Sequence, residues 1–297
     1  MTRGWAARLA PVAFVLVWST GFVGARFGLP YAPTFSLLAV RLAIASAALA
    51  LLSLVMRTAW PRRAADYRRS AGIGVILHAG YLGGVFISID LGLPVAVSAL
   101  IVCLQPVCVA ALARPLVGER LIARQWVGVA LGLGGAVIVL APGLLAHQGV
   151  PYPPASAIPA IFALACSTIA TLLQKRWGGG ISMIPGTAVQ YAAATAVLIP
   201  AAFLVDRRPM EWGAPLIGAL AWMVLALSIG AVLLMFWLLR QGTASGFSSL
   251  YFLVPPVTLL MGYVLFGQTL PLVAMLGFVV SAVGVLMVRE PQAKPAT

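Results

Sequence analysis

A chain of 297 residues with 62% hydrophobic and only 8% charged side chains does not fit a water-soluble domain, which runs about 45–50% apolar and about 25% charged. Its mean hydropathy of +1.05 goes with loops too short to hold a soluble catalytic domain. The formal net charge of +13 would suit nucleic acid, but the Lys and Arg lie in short gaps between apolar runs, where they set membrane topology instead.

A membrane helix needs about 20 apolar residues. Apolar runs fall near 9–27, 35–56, 71–92, 95–114, 125–141, 157–175, 184–205, 214–239, 245–266 and 271–288. The pattern predicts an all-α polytopic membrane protein of ten transmembrane helices. Arg3 and Arg8 precede the first run, which lacks a small-x-small cleavage site and leads into nine more, so it reads as an uncleaved first helix. The gaps carry turn chemistry or charge, as at Gly28-Leu29-Pro30, Pro61-Arg62-Arg63, Gly178-Gly179-Gly180 and Asp206-Arg207-Arg208-Pro209. Cys103, Cys108 and Cys166 lie inside apolar runs, an odd count that implies no disulfide framework.

With these spans, fifteen of the nineteen Lys and Arg fall on one side. Arg26, Arg207 and Arg208 fall on the other, and Arg41 lies within a span. Cytoplasmic loops carry the basic excess, so both termini are expected inside, in a cell inner membrane.

Shifting the chain by 149 residues superposes its halves. Pro106 falls on Pro255, Leu116 on Leu265, Gly118 on Gly267, Gly128 on Gly277, Gly135 on Gly284, Arg41 on Gln190 and Glu119 on Gln268. At a shift of 148, Ser19-Thr20 meets Ser167-Thr168. Five spans per repeat is an odd number, so the second repeat lies upside down relative to the first. The expectation is two inverted five-helix repeats, residues 1–149 and 150–297. Inverted repeats mark secondary transporters, with substrate held near the midplane where they meet.

The segments VLVWSTGFVGARFG, LQPVCVAALARPLVGERL and QWVGVALGLGGAVIVL in the first half resemble one EamA-type repeat. LVPPVTLLMGYVLFGQTL followed by GFVVSAVGVLMV resembles another. The chain is thus similar, over nearly its whole length, to the drug/metabolite transporter superfamily. That resemblance implies a ten-helix bundle exporting amino acids, metabolites or toxic organic compounds. It also implies a cavity among helices 1, 3, 4, 6, 8 and 9, with helices 5 and 10 peripheral. Gln268 departs from it, because second repeats often carry a Glu there.

Candidate site residues follow from depth and chemistry. Trp18, Ser19 and Thr20 stand mid-span in the first helix, answered by Ser167, Thr168 and Thr171 in the sixth. Hydroxyls bind a polar substrate and an aromatic face suits a ring or an organic cation, although Ser and Thr equally serve helix packing. Arg41 lies roughly 9 Å into the second span, where a charge is costly and normally finds a partner; snorkelling to the outer surface is the alternative. Asp90, near the outer end of the third span, is its expected partner, and the pair would close or orient the outer half.

His78 and Tyr81 share a face of the third span. The imidazole is a candidate carrier of a coupling proton, set against simple packing. Gln105 precedes Pro106, and Pro255-Pro256 hold the equivalent place in the ninth span, so both helices are expected to kink. Tyr251 lies one turn before Pro255. Gly128, Gly132 and Gly135 read as close helix packing.

No phosphate-binding loop is present, and no cofactor or metal site is indicated. An enzyme is not expected. The expected function is a secondary transporter exporting small amino acids or related metabolites by alternating access. Efflux of organic cations is the alternative, and a channel or a non-transporting sensor the alternative of another class. Protons as coupling ion stay open beside facilitated or exchange transport. A monomer suffices, because the pseudosymmetry lies within one chain; a dimer is not required.

Overall fold

A bilayer offers backbone groups no water, so a spanning chain must satisfy its amides internally, and a helix does so within each segment. The computed structural model describes residues 2–146, 152–267 and 271–289, and among these there is helix but no strand. The segments are α1 (Thr2–Gly28), α2 (Thr34–Val55), α3 (Ala64–Asp90), α4 (Val95–Val102 and Gln105–Val117) and α5 (Ala123–Ala146). They continue as α6 (Ala157–Trp177), α7 (Met183–Val205), α8 (Ala214–Gln241), α9 (Ala244–Leu265) and α10 (Leu272–Val288). Among the described residues, eight helical stretches, in α2 to α9, are long and apolar enough to cross a membrane. Leu9–Gly21 and Leu272–Val288 are shorter apolar stretches.

The helices outrun their apolar runs at the ends. The α3 helix starts at Ala64, seven residues before the expected 71, because its first two turns are amphipathic and leave Tyr67, Arg68 and Arg69 exposed. Hydropathy detects only the part of a helix that must avoid water. In the body, large apolar side chains such as Leu54, Phe203, Leu225 and Leu286 point outward, as a lipid-facing surface requires, while Phe14, Leu42, Tyr191, Phe236 and Phe252 are fully enclosed.

Irregularities recur at the same 149-residue offset as the sequence match. Wide π-turns occupy Val75–Tyr81 in α3 and Met223–Ala231 in α8. The α4 helix breaks at Cys103–Leu104 and restarts at Gln105, with Pro106 in its first turn. In α9 a 3-10 stretch, Ser249–Leu253, precedes the restart at Val254 with Pro255 and Pro256 in its first turn. A proline is tolerated there because its missing N–H has no helical partner to lose. Both helices end on a left-handed glycine, Gly118 (φ 75°) and Gly267 (φ 62°).

Packing repeats the offset too. The α2 helix lies against α7, α3 against α6 and α7, α8 against α1 and α2, α4 against α6, and α9 against α1. The α5–α10 seam brings backbone against backbone. A Cβ on Gly284 would stand 2.3 Å from the Gly132 nitrogen, and one on Gly128 would stand 2.7 Å from the Gly284 oxygen. The Ser281 hydroxyl donates to the Gly132 carbonyl at 3.3 Å.

Candidate functional site

A polar cluster forms where α2, α3, α7 and α8 meet. Arg41 Nε donates to the Ser228 hydroxyl at 2.8 Å. The Tyr191 hydroxyl donates to the Ser228 carbonyl. His78 lies edge-on to the Tyr191 ring, with centroids 4.6 Å apart. Both π-turns face this cluster, since His78 belongs to one and Ser228 to the other. A π-turn inserts a residue into the helical register and is frequent at functional sites. Here it brings Ser228 of α8 within reach of Arg41 in α2, six helices earlier in the chain. His78 and Gln190 are both buried, and their side chains face each other.

The cluster leads from Gln190 to Gln174, whose Oε1 accepts from Gln190 Nε2 at 3.0 Å. A cavity of about 10 Å³ lies beside them, lined by Ser70, Gln174, Thr187, Gln190 and Arg240 among others. That is room for one water molecule.

A second group joins α1 to α9 and α4 to α6. Trp18 meets Tyr251 edge-on at 5.6 Å, and Phe14 and Phe247 complete an aromatic cluster at 5.1–5.9 Å between ring centres. Ser19, fully buried, donates to the Val254 carbonyl at 3.5 Å. At the related place Gln105 Nε2 donates to Thr171 Oγ1 at 3.2 Å, leaving Gln105 Oε1 unpartnered. Thus a hydroxyl-bearing helix meets a broken helix at its restart in both halves. The Tyr251 hydroxyl donates to Met235 Sδ at 3.6 Å.

Long-range contacts tie the helix ends. At one end of the bundle the Glu119 carboxylate accepts from Ala244 N at 2.7 Å and from Ser245 N and Oγ at 3.3 Å each. From the loop between α4 and α5 it thereby caps α9. Lys175 donates to the Leu239 and Gly242 carbonyls, and Arg176 to that of Leu116. At the opposite end Asp206 caps α2, accepting from Ser36 N at 2.7 Å and Ser36 Oγ at 2.6 Å. Two arginines grip matching turns. Arg208 donates to the Leu29, Pro30 and Ala32 carbonyls, and Arg240 to those of Gly178 and Ile181. Leu29 with Ala32 and Gly178 with Ile181 are again 149 residues apart.

A groove of about 400 Å³ opens near the Asp206 end, lined by Thr20, Gly24, Phe27, Gly218, Trp222 and Leu265 among others. Trp222 Nε1 donates to Thr20 Oγ1 at 3.0 Å, so Thr20 turns to the groove, whereas Ser19 turns to α9.

The sequence candidates therefore separate into two groups. Trp18, Ser19 and Tyr251 stand together, and Gln105 stands with Thr171. Ser167 donates to its own helix, at the Leu164 carbonyl, 3.0 Å away. Tyr81 packs half-buried against the core at the end of the α3 π-turn. The expected Arg41–Asp90 pair does not form. Asp90 is exposed at the end of α3, and the π-turn of α8 offers Arg41 a hydroxyl instead. Among the described residues the one ion pair is Arg69–Asp66, 3.4 Å apart on the surface. Gln268 lies outside the described residues.

Sequence reasoning missed Ser228 and Tyr191, and it missed the capping carboxylates. Tyr191 had a signal, since it follows Gln190, the repeat counterpart of Arg41. Ser228, alone in an apolar run, had none.

Comparison with known proteins matches residues 5–141 and 155–289 to the EamA-like transporter family. A relative from Bacillus subtilis (strain 168), named "Uncharacterized transporter YvbV", is 23% identical over 287 residues, covering 93% of this chain and 88% of that one. A "Probable terminal-alkyne amino-acid exporter" from Streptantibioticus cattleyicolor is 25% identical over 300 residues, covering 95% and 92%. A solved structure described as "Crystal structure of protein" superposes with a TM-score of 0.79 at 18% identity, over 95% of this chain and 97% of that one. That last likeness is one of fold.

Proposed function

The chain belongs to the EamA-like transporter family, and on that premise we propose that it exports small amino acids or related metabolites by alternating access of two inverted five-helix repeats, 1–149 and 150–297. It is a membrane transporter rather than an enzyme. In this reading all ten helical segments span an inner membrane. The Glu119 end, with its basic excess, is cytoplasmic and carries both termini.

The observation that carries the reading is the recurrence of four helix irregularities at one offset: π-turns, breaks, left-handed glycine ends and the gripped turns. Two halves with matching hinges can exchange conformations, so that what is tied at one end becomes tied at the other. The amino-acid class draws on the exporter from Streptantibioticus cattleyicolor. Substrate would lie among Trp18, Ser19, Thr20, His78, Tyr81, Gln105, Ser167, Thr171 and Tyr251. His78 and Asp90 are the candidates for proton coupling, and Arg41 the candidate for gating.

The Phe14–Trp18–Phe247–Tyr251 cluster favours a second reading, efflux of organic cations, because aromatic faces attract cations. Against it, no carboxylate is hydrogen-bonded to that cluster among the described residues.

The test is release from proteoliposomes loaded with a mixed pool of amino acids and metabolites, with and without a pH gradient. Selective loss of one compound is expected. Retention of the whole pool, together with release of cationic drugs, would favour the second reading. Retention of both would remove transport.

A further inference from the structure

Arg41 carries a charge with no counter-ion. The Glu119 and Asp206 carboxylates are committed to helix ends, Asp90 is exposed at the end of α3, and no acid lies within ion-pair distance of Arg41 among the described residues. An unpaired cation inside a bilayer is costly and usually marks a functional site. Only Nε is engaged, by Ser228. The two terminal nitrogens have no hydrogen-bond acceptor among the described residues, and the side chain is half-buried.

A guanidinium anchored through Nε presents its remaining N–H groups as a planar fork, which fits a carboxylate with two parallel hydrogen bonds. The cluster behind it is closely packed. Ser228, Tyr191 and His78 are all buried, and the Tyr191–Ser228 hydrogen bond fixes the α8 backbone that carries the anchor.

We infer that the terminal nitrogens of Arg41 receive the carboxylate of the transported substrate, with Ser228 holding the guanidinium in place. The substrate supplies the missing counter-charge, so the loaded site is the electrically satisfied one. This rests on the exporter reading and narrows it to carboxylate-bearing compounds, at the expense of organic cations.

The experiment compares, in proteoliposomes of the full chain, release of the transported amino acid with release of its amide and its decarboxylated amine. A site built to bind a polar group rejects the analogue that lacks it, so the acid should leave at least about tenfold faster than either analogue. Arg41→Gln should raise KM for the acid and abolish the discrimination, with Arg41→Lys intermediate. Equal release of acid and amide, or an unchanged KM in a folded Arg41→Gln, overturns the inference while leaving the exporter reading intact. Failure of the wild type to release any member of the pool overturns the reading itself. The analogue comparison needs no variant, so poor folding of Arg41→Gln does not blunt it.

Discussion

Ser281 donates its hydroxyl to the carbonyl of Gly132, the residue that occupies its own place in the other half of the chain, 149 positions earlier. In the proposed arrangement of inverted repeats, two equivalent residues touch in this way near the axis that would exchange the halves. Around that point, Gly128 meets Gly284 and Gly135 meets Gly277, contacts that exchange with each other under the same shift. The α5–α10 seam is thus a place where the two halves are held together while other helices carry the irregular turns.

At Gly284 the seam admits no side chain. Gly284→Ala places a methyl 2.3 Å from the Gly132 backbone nitrogen, which cannot rotate away. Overpacking of this kind costs about 1–3 kcal/mol. Thermal unfolding in detergent should show a clearly lowered Tm, whereas Gly179→Ala, with nothing within 4 Å, should unfold as the wild type does. Equal Tm values for both variants would contradict the contact.

Glu119 satisfies the first amides of α9 from the loop between α4 and α5. Glu119→Ala strips that cap and should destabilise by about 1 kcal/mol, the usual cost of losing a capping oxygen. Glu119→Gln, which keeps one acceptor oxygen, should recover part of it. Asp206→Ala should act alike at α2. The check is chemical denaturation of the three variants; an effect of Glu119→Gln as large as that of Glu119→Ala would show that shape is not what matters there.

Much of this architecture was legible in the sequence, for a physical reason. Lipid forces long apolar runs, and the 149-residue match of Gly and Pro positions follows from turns and seams that only those residues fit. What was not legible is what depends on distance in space. Sequence reasoning sought for Arg41 an opposite charge, and Asp90 was the nearest in depth; the partner is a neutral hydroxyl delivered by a π-turn, which leaves no signature in hydropathy. Likewise, Glu119 and Asp206 stood in gaps that looked like topology signals, because helix caps are normally sought within the same segment.

The two arginine grips should be separable. Arg240→Ala releases the Gly178 and Ile181 carbonyls, and Arg208→Ala those of Leu29, Pro30 and Ala32. Hydrogen exchange should rise in peptides around 178–181 for the first variant and around 29–32 for the second, with little cross-effect between such distant sites. A rise at both turns in either variant would mean that one grip alone holds the two ends.

Tyr191→Phe removes the hydroxyl that satisfies the Ser228 carbonyl. It should cost about 1 kcal/mol of stability and loosen the anchor of Arg41, so KM for the exported compound should rise more than kcat falls. A kcat loss at constant KM would place Tyr191 outside substrate binding.

Alternating access itself is tested most directly by exchange. Proteoliposomes are loaded with the labelled compound that the protein releases, and its exit is followed with and without the unlabelled compound outside. A carrier whose two halves take turns opening predicts saturable release that is accelerated by outside substrate, since a loaded site returns faster than an empty one. Release that stays proportional to concentration and indifferent to outside substrate would contradict it, and would describe a channel.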